Sequence, residues 1–334
     1  MANYNRTKAR EVAIEKCREF PNHGDLTIAK LLIKDYPLLY TNVEHARTLV
    51  RNTRGHSGEK NRRQEVVKSL FKPVTNNTSP YNLPESFAED FTPYKITSSR
   101  VLIISDLHFP YQDNKAITLA LDYGKEKDVN CILINGDLLD FHNQSRFEKD
   151  PRARKTHEEF EAVRQFLRGL RSQFENCKIV FKLGNHDERW EKWLMAKAPE
   201  LLGMSEFELQ VILQLGELNI DIVKHKLPIE IGKLTVFHGH ELNGSGGVNP
   251  ARATFMKTIA NVLIGHCHRS SQQSEAVYNG DVIVTTSQGC LCGMNPEYAR
   301  VNKWNQGFAY VEQDVKTGEY NLLNLKINKG KIYV

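Results

Sequence analysis

Five short, mostly apolar runs, each followed at once by acidic, amide or imidazole side chains, constrain the fold of this chain more than any other feature. They occupy residues 101–104, 131–134, 179–183, 234–237 and 261–264. Runs of this length and composition predict buried strands. The polar residues that follow them are then placed at the carboxyl ends of the strands, which is the functional edge of an open α/β sheet.

The polar blocks themselves indicate a metal site. They read Ser-Asp-Leu-His at 105–108, Asn-Gly-Asp at 135–137, Gly-Asn-His-Asp at 184–187, His-Gly-His at 238–240 and Gly-His-Cys-His at 265–268. A core does not explain them, because burying an unpartnered polar group costs roughly 2–7 kcal/mol. Oxygen and imidazole donors brought together suit divalent cations. The blocks therefore predict a site for divalent cations such as Mn, Fe, Zn or Mg.

In this order the five blocks resemble the pattern of the calcineurin-like metallophosphoesterases, which is D-x-H, G-D-x-x-D, G-N-H-D/E, H-G-H and G-H-x-H. The small basic segment that precedes them also resembles bacteriophage-encoded members of that family. The resemblance implies an α/β fold for residues 99–334, a two-sheet β-sandwich flanked by helices. It also implies a dinuclear metal centre that hydrolyses phosphate esters. We expect two divalent ions there, with Mn favoured and Fe, Zn, Ni or Mg as alternatives.

The resemblance also implies which residues bind the ions. It assigns the first ion to Asp106, His108, Asp137 and His268, and the second to Asp137, Asn185, His238 and His266. Asp137 would bridge the two. A water held between two cations loses a proton far more easily than bulk water, so a bridging hydroxide is the expected nucleophile. No serine or cysteine nucleophile is then required.

Three residues beside these ligands are predicted to assist the reaction. His186 is expected to stabilise the phosphoryl oxygens or to protonate the leaving oxygen. Asp187 is expected to orient His186, and Asp140 to orient a ligand histidine.

Substrate contacts are predicted for three further residues, His240, Arg189 and Arg252. Arg252 follows a predicted helix start, where it would meet a substrate phosphate, although a plain tight connection is an equal alternative. Cys290 and Cys292 form a C-x-C pair that could bind metal, and we favour two small apolar residues near a strand end.

The charge of the chain is unevenly distributed. Residues 1–80 contain 15 Lys and Arg against 8 Asp and Glu, whereas residues 81–334 contain 30 against 32. Such asymmetry indicates an acidic partner for the amino-terminal part of the chain.

Residues 1–55 are predicted to form a small basic all-α domain, followed over residues 56–98 by a linker that begins with a basic stretch and contains four prolines. Helices are expected over residues 7–20 and 26–35, and a third between a capping box that starts at Thr41 and a terminal Gly55. Arg47, Arg51 and Arg54 are spaced to share one face of the third helix. The pattern fits a helix-turn-helix-like nucleic-acid reader, or merely a solvated basic face.

Beyond residue 99, strands alternate with helical patterns at 113–127, 155–174, 188–198, 205–215 and 250–259. Strand-like runs at 282–286, 308–311 and 320–325 could then close a second sheet. No run approaches the ~20 apolar residues of a membrane span. The chain also shows neither a secretory signal nor a C-x-x-C pair. We therefore expect a protein without membrane partners in a cytoplasm, that of the host if a phage encodes it.

Among functions, a phosphodiesterase or nuclease acting on nucleic acid is favoured, because a basic appendage would bring a polyanion to the metal centre. A phosphomonoesterase acting on a phosphoprotein or small molecule is the main alternative. A binding scaffold with a decayed metal site is the third. The sequence leaves the oligomeric state open.

Overall fold

The computed structural model describes residues 2–21, 23–55, 91–146, 155–224, 226–244, 246–296 and 299–334. The chain divides into two compact units, Met1–Ala88 and Glu89–Val334. Most of the predicted 56–98 linker lies outside the described residues, so its boundaries stay a prediction. None of the helices in the described ranges has the length and apolar composition needed to cross a bilayer.

The described part of the amino-terminal unit contains three helices, α1 (Ala2–Glu19), α2 (Asp25–Asp35) and α3 (Val43–Thr53). Their apolar faces meet in one cluster whose most deeply buried members are Ala13, Ile28, Leu32, Ala46 and Val50. The prediction of a small helical region is therefore confirmed.

The start of α3 lies one residue later than the predicted capping box. The side-chain oxygen of Asn42 accepts a hydrogen bond of 2.8 Å from the backbone N–H of His45, so Asn42 is the N-cap. Thr41 instead donates its own backbone N–H to Nδ1 of His45 at 3.3 Å. At the other end Gly55 has a φ of 72°, the left-handed conformation expected of a glycine that follows a helix.

Arg54 does not lie on an exposed stripe with Arg47 and Arg51, and the prediction was wrong at this position. Its side chain is only 2% exposed. The guanidinium donates hydrogen bonds of 2.7–3.2 Å to the carbonyl oxygens of Phe20, Pro21 and His23 and to the carboxylate of Asp25. Its planar fork of donors thus satisfies carbonyls at the end of α1 and ties them to the start of α2.

The strands of the second unit form two sheets. The seven-stranded sheet has the order β13-β12-β11-β2-β3-β4-β5, with β2 Arg100–Ile104, β3 Cys131–Asn135, β4 Lys178–Lys182, β5 Ile220–Val223, β11 Gln306–Gln313, β12 Tyr320–Asn328 and β13 Lys331–Tyr333. The six-stranded sheet has the order β1-β6-β7-β8-β10-β9, with β1 Tyr94–Ile96, β6 Ile229–Ile231, β7 Leu234–Phe237, β8 Val262–Ile264, β9 Ser271–Ala276 and β10 Val282–Ser287.

The helices of this unit are α4 Asn114–Glu126, α5 Thr156–Gln173, α6 Arg189–Lys197, α7 Leu209–Ile212 and α8 Pro250–Thr258. All but α7 agree with the predicted helical segments. The predicted helix over 205–215 is wrong. Its first part is a single 3-10 turn, and Glu208 is extended before α7 begins. The carbonyl of Phe207 accepts a hydrogen bond from the indole of Trp190 in this stretch.

Strand β2 shows why the predicted runs are apolar on both faces. Val101 and Ile103 belong to the core between the two sheets, together with Val236 and Leu263 of the second sheet. Leu102 and Ile104 belong to the core that the sheet shares with α4 and α5. A strand covered on both faces needs a continuous apolar run. The predicted two-sheet fold flanked by helices is confirmed.

The late strands do not form a sheet of their own, which corrects one detail of the prediction. β11 pairs antiparallel with β2 and extends the first sheet together with β12. β10 instead joins β8 in parallel and belongs to the second sheet.

Replacing Arg54 by alanine should loosen the amino-terminal unit. Hydrogen bonds from a charged group contribute about 1.5–3 kcal/mol, so amide exchange of residues 25–53 in the full chain should accelerate about ten- to a hundredfold. Arg51→Ala is the matched control, because Arg51 is exposed on the same helix. Equal exchange in the two variants would contradict the structural role of Arg54.

Candidate metal centre

The five polar blocks meet where the carboxyl ends of strands from the two sheets come together. β2, β3 and β4 run parallel in one sheet, and β7 and β8 run parallel in the other. The loops after these strands approach so closely that a Cβ atom on Gly184 would lie 2.3 Å from Oδ1 of Asp137. Glycine is therefore required at this position by the approach of the neighbouring block.

The predicted ligands have an unusual backbone conformation. Left-handed φ angles of 50–62° occur at Asp106, His108, Asp137, His266 and His268. Residues other than glycine avoid this region, and such strain typically marks functional sites. It turns each side chain away from its strand and toward the centre.

A first group of donors surrounds His268. Its Nε2 atom lies 3.1 Å from Oδ1 of Asp106 and 3.2 Å from Nε2 of His108. The same His108 nitrogen lies 3.7 Å from Oδ2 of Asp137. Donor atoms separated by these distances fit around one cation at bond lengths of about 2.0–2.2 Å. The four residues are those assigned to the first ion.

A second group lies on the other side of Asp137. Nε2 of His238 is 3.2 Å from Oδ2 of Asp137, and a donor of His266 lies within 4.8 Å of both. Oδ1 of Asn185, another residue assigned to the second ion, is buried and has no hydrogen-bond partner among the described residues. A buried acceptor without a partner is costly, and a cation would satisfy it.

Hydrogen bonds on the far side of two rings leave their Nε2 atoms available as donors to an ion. Nδ1 of His238 donates to the carbonyl of Asn135 at 2.7 Å. Nδ1 of His108 lies 3.0 Å from Oδ1 of Asp140, the residue predicted to orient a ligand histidine. Outer contacts of this kind set the tautomer and the direction of metal-binding histidines.

Burial and charge act against each other in the cluster. Burial opposes ionisation of Asp106 and Asp137, but the facing imidazoles outweigh it and hold the pKa of both carboxyls below the usual value. Burial lowers the pKa of His238, yet Asp137 raises it to about 10. The same balance with Asp106 raises the pKa of His268 to about 9. Cations that bind here must displace these protons, so metal affinity should fall as the pH decreases.

Asp187 does not orient His186, which corrects the prediction. Its carboxylate accepts hydrogen bonds of 2.8–3.1 Å from the backbone amides of Asp137, Leu138, Leu139 and Gly184. These four hydrogen bonds to Asp187 thus fix the loop that carries Asp137.

His186 lies at the open rim of the centre and is paired with Arg189. Its Nδ1 donates to the carbonyl of Asp140 at 2.8 Å, and its Nε2 accepts from Arg189 at 3.0 Å. Burial lowers the pKa of His186, but Asp137 and Asp140 more than compensate and leave it raised. Because its side chain is still 15% exposed, His186 can reach a ligand above the donor groups.

The other two predicted substrate contacts are placed differently. His240 is mostly buried, with Nε2 at 3.2 Å from Glu188 and Nδ1 at 3.4 Å from Glu241. Arg252 is exposed in the first turn of α8, where its backbone N–H donates a hydrogen bond to the side-chain oxygen of the N-cap residue, Asn249. The structure brings Arg189 to the cluster and leaves Arg252 on the surface.

The sequence analysis did not identify Glu241 and Lys182. Glu241 accepts hydrogen bonds from the backbone N–H groups of His238 and Gly239, at 3.2 and 2.7 Å. It also forms a buried ion pair of 2.7 Å with Lys182, the last residue of β4. This pair joins the two sheets beneath His238. The only signal in the sequence is a lysine that interrupts the apolar run 179–183.

Glu241→Gln should weaken metal binding about 10–100-fold, the usual effect of losing an outer contact of a ligand. The amide keeps the shape of the side chain but leaves Lys182 as a buried cation without its counter-charge. Calorimetric titration of the metal-free protein with Mn²⁺ measures the change. Glu217→Gln, at an exposed position, is the matched control. Unchanged affinity in Glu241→Gln would show that the ion pair does not support the centre.

A family model and two curated phage proteins match this chain. Residues 99–285 match the model of the family described as calcineurin-like phosphoesterase. The chain is 29% identical to the Gene 54 protein of Mycobacterium phage L5 and 25% identical to that of Mycobacterium phage D29, in each case over 240 residues that cover 65% of this chain and 90% of the relative.

Two solved structures are also similar. Vacuolar Protein Sorting 29 from Cryptosporidium parvum is 16% identical with a TM-score of 0.39, over 71% of this chain and 95% of that one. Yfce, a phosphoesterase from E. coli, is 13% identical with a TM-score of 0.32, over 67% of this chain and 98% of that one. Since the family model alone spans more than half of the sequence, the chain belongs to the calcineurin-like phosphoesterase family.

Proposed function

We propose that this protein is a two-metal phosphodiesterase that acts on nucleic acid. The observation that carries the proposal is the convergence of two donor groups on Asp137, with the buried Oδ1 of Asn185 left without a hydrogen-bond partner among the described residues. Two ions bound there would supply Lewis acidity and an ionised water for attack on phosphorus. Asp106, His108 and His268 would hold one ion, Asn185, His238 and His266 the other, and Asp137 both.

The side chains at the rim would bind and protonate the substrate. Arg189 presents a charged donor fork next to His186, a geometry suited to a phosphate oxygen. A phosphate that draws Arg189 away would free Nε2 of His186 to take up a proton from solvent, and the imidazolium so formed could pass that proton to the leaving oxygen. Asp140 holds both residues, since its backbone carbonyl accepts from each of them at 2.8 Å.

The preference for nucleic acid rests on the amino-terminal unit. The net charge of residues 1–80 is 15 − 8 = +7. Arg51 is exposed on α3 and Arg47 is partly exposed on the same helix. Clustered cations on one helix neutralise phosphates of a polyanion.

A phosphomonoesterase is the second candidate. The near balance of 30 basic and 32 acidic residues in 81–334 favours it, because that part of the chain has no excess charge to attract a polymer. Hydrolysis of bis-p-nitrophenyl phosphate and p-nitrophenyl phosphate in the presence of Mn²⁺ separates the two functions. A clear preference for the monoester would replace our proposal.

Asp137→Asn should abolish both metal binding and hydrolysis, because both donor groups depend on this carboxylate. Metal content by elemental analysis and turnover of the diester measure the two effects. His186→Ala is the contrasting variant, which should keep both metals while turnover falls about 10²–10⁴-fold. Two fully occupied ions in Asp137→Asn, or normal turnover in His186→Ala, would refute the corresponding role.

The paired variant Arg47→Ala/Arg51→Ala should bind nucleic acid less tightly. Each phosphate contact contributes about 0.9 to the slope of log affinity against log salt, so the slope should flatten by about 2. Binding of labelled single-stranded and duplex DNA and RNA between low and moderate salt measures it. Lys316→Ala/Lys329→Ala removes the same charge from exposed positions of the second unit. Equal slopes for the two paired variants, or no binding at low salt, would overturn the nucleic-acid proposal.

A further inference from the structure

Cys292 lies against the first donor group, although the sequence analysis favoured a plain packing role for it. Its sulfur atom and one donor atom each of His108 and His268 all lie within 4.8 Å of one another. The sulfur is 4.0 Å from Nδ1 of His268, on the same ring whose Nε2 faces Asp106 and His108. Cys292 is only 3% exposed, so its thiol is shielded from solvent.

The backbone holds Cys292 in this place from both sides. The N–H of Leu291 donates to the carbonyl of Asp106 at 3.2 Å, and the N–H of Gly293 donates to the carbonyl of Tyr111 at 2.8 Å. Cys292 itself forms an isolated antiparallel bridge with Gln112. The segment is thus paired along the D-x-H loop, so the thiol and the first ligands belong to one rigid substructure.

We propose that Sγ of Cys292 is a further ligand of the first ion, joining Asp106, His108, Asp137 and His268. The inference rests on the proposed metal-dependent function. On binding, a sulfur–metal bond forms, the S–H bond breaks, and its proton passes to solvent. The five polar blocks do not include Cys292, because it lies beyond the last of them in the sequence.

A thiolate makes the two metal positions chemically different. The second donor group consists of carboxylate, carboxamide and imidazole atoms from Asp137, Asn185, His238 and His266. Soft thiolate donors select Zn or Fe, whereas oxygen and nitrogen donors also accept Mn. The expectation of Mn then holds for the second position, and the first position takes the softer ion.

Cys290 supplies a matched control two residues away. It is fully buried, as Cys292 is, but its sulfur lies 3.7 Å from the carbonyl oxygen of Asn305. The side chain of Cys290 also contacts that of Cys292, and replacing Cys290 by serine keeps a polar group in this contact while Sγ of Cys292 stays in place.

The test is cobalt substitution of the metal-free full chain. The unmodified protein and Cys290→Ser should bind two Co²⁺ and show a thiolate-to-cobalt charge-transfer band in the near ultraviolet. Cys292→Ser should lose this band, and its Zn²⁺ affinity should fall at least tenfold. Two bound Co²⁺ without the band, or an unchanged band in Cys292→Ser, would overturn the thiolate ligand alone. Failure of the unmodified protein to bind Co²⁺ would overturn the proposed function as well.

X-ray absorption on the zinc-loaded, unmodified protein gives a second measurement that needs no variant. A sulfur scatterer at about 2.3 Å from zinc is expected beside the nitrogen and oxygen shell. A shell of nitrogen and oxygen alone would contradict the proposal even if Cys292→Ser does not fold.

Discussion

The structure depends on the burial of one carboxylate, that of Asp137, between the ends of two sheets. A charge in this position is stable only if neighbours compensate it. Oδ1 of Asp137 accepts from the backbone N–H of His186 at 2.9 Å, while Oδ2 faces His108 and His238. The loop behind it is held by Asp187. The groups that compensate this charge follow strands of both sheets, so strands of both sheets must end beside Asp137. A two-sheet sandwich allows this arrangement.

The strained loops show how the core and the centre depend on each other. Left-handed backbone at residues other than glycine costs about 1–3 kcal/mol for each residue, and five of the predicted ligands have it. Such loops persist because the strands before them are buried on both faces, as Val101 and Leu102 of β2 illustrate. The packing of these apolar strands thus also holds the predicted ligands in a left-handed backbone conformation that is unfavourable by itself.

Local features of the sequence were sufficient for the five strands that precede the polar blocks and for placing the predicted ligands at their carboxyl ends, because each block directly follows its own apolar run. Features that depend on distant parts of the chain were missed. The sequence of an apolar strand does not show which strand it pairs with, so the assignment of β10 and β11 to different sheets was not predicted. Arg54 binds carbonyls more than 30 positions away, and Glu241 meets Lys182 across two sheets. Residue type and spacing contain no information about such contacts.

The net charge of the centre with two metal ions bound would affect which phosphate esters it attracts. Two dications bring four positive charges, Asp106 and Asp137 return two negative ones, and a thiolate from Cys292 would return a third. Each added negative ligand weakens the attraction for a doubly charged phosphomonoester more than that for a singly charged diester, since the interaction scales with the product of the charges. Arg189 adds only one positive charge at the rim. A thiolate at the first ion and a preference for diesters are therefore compatible. The ligand that favours a softer metal at one position also reduces the electrostatic advantage of the more highly charged ester.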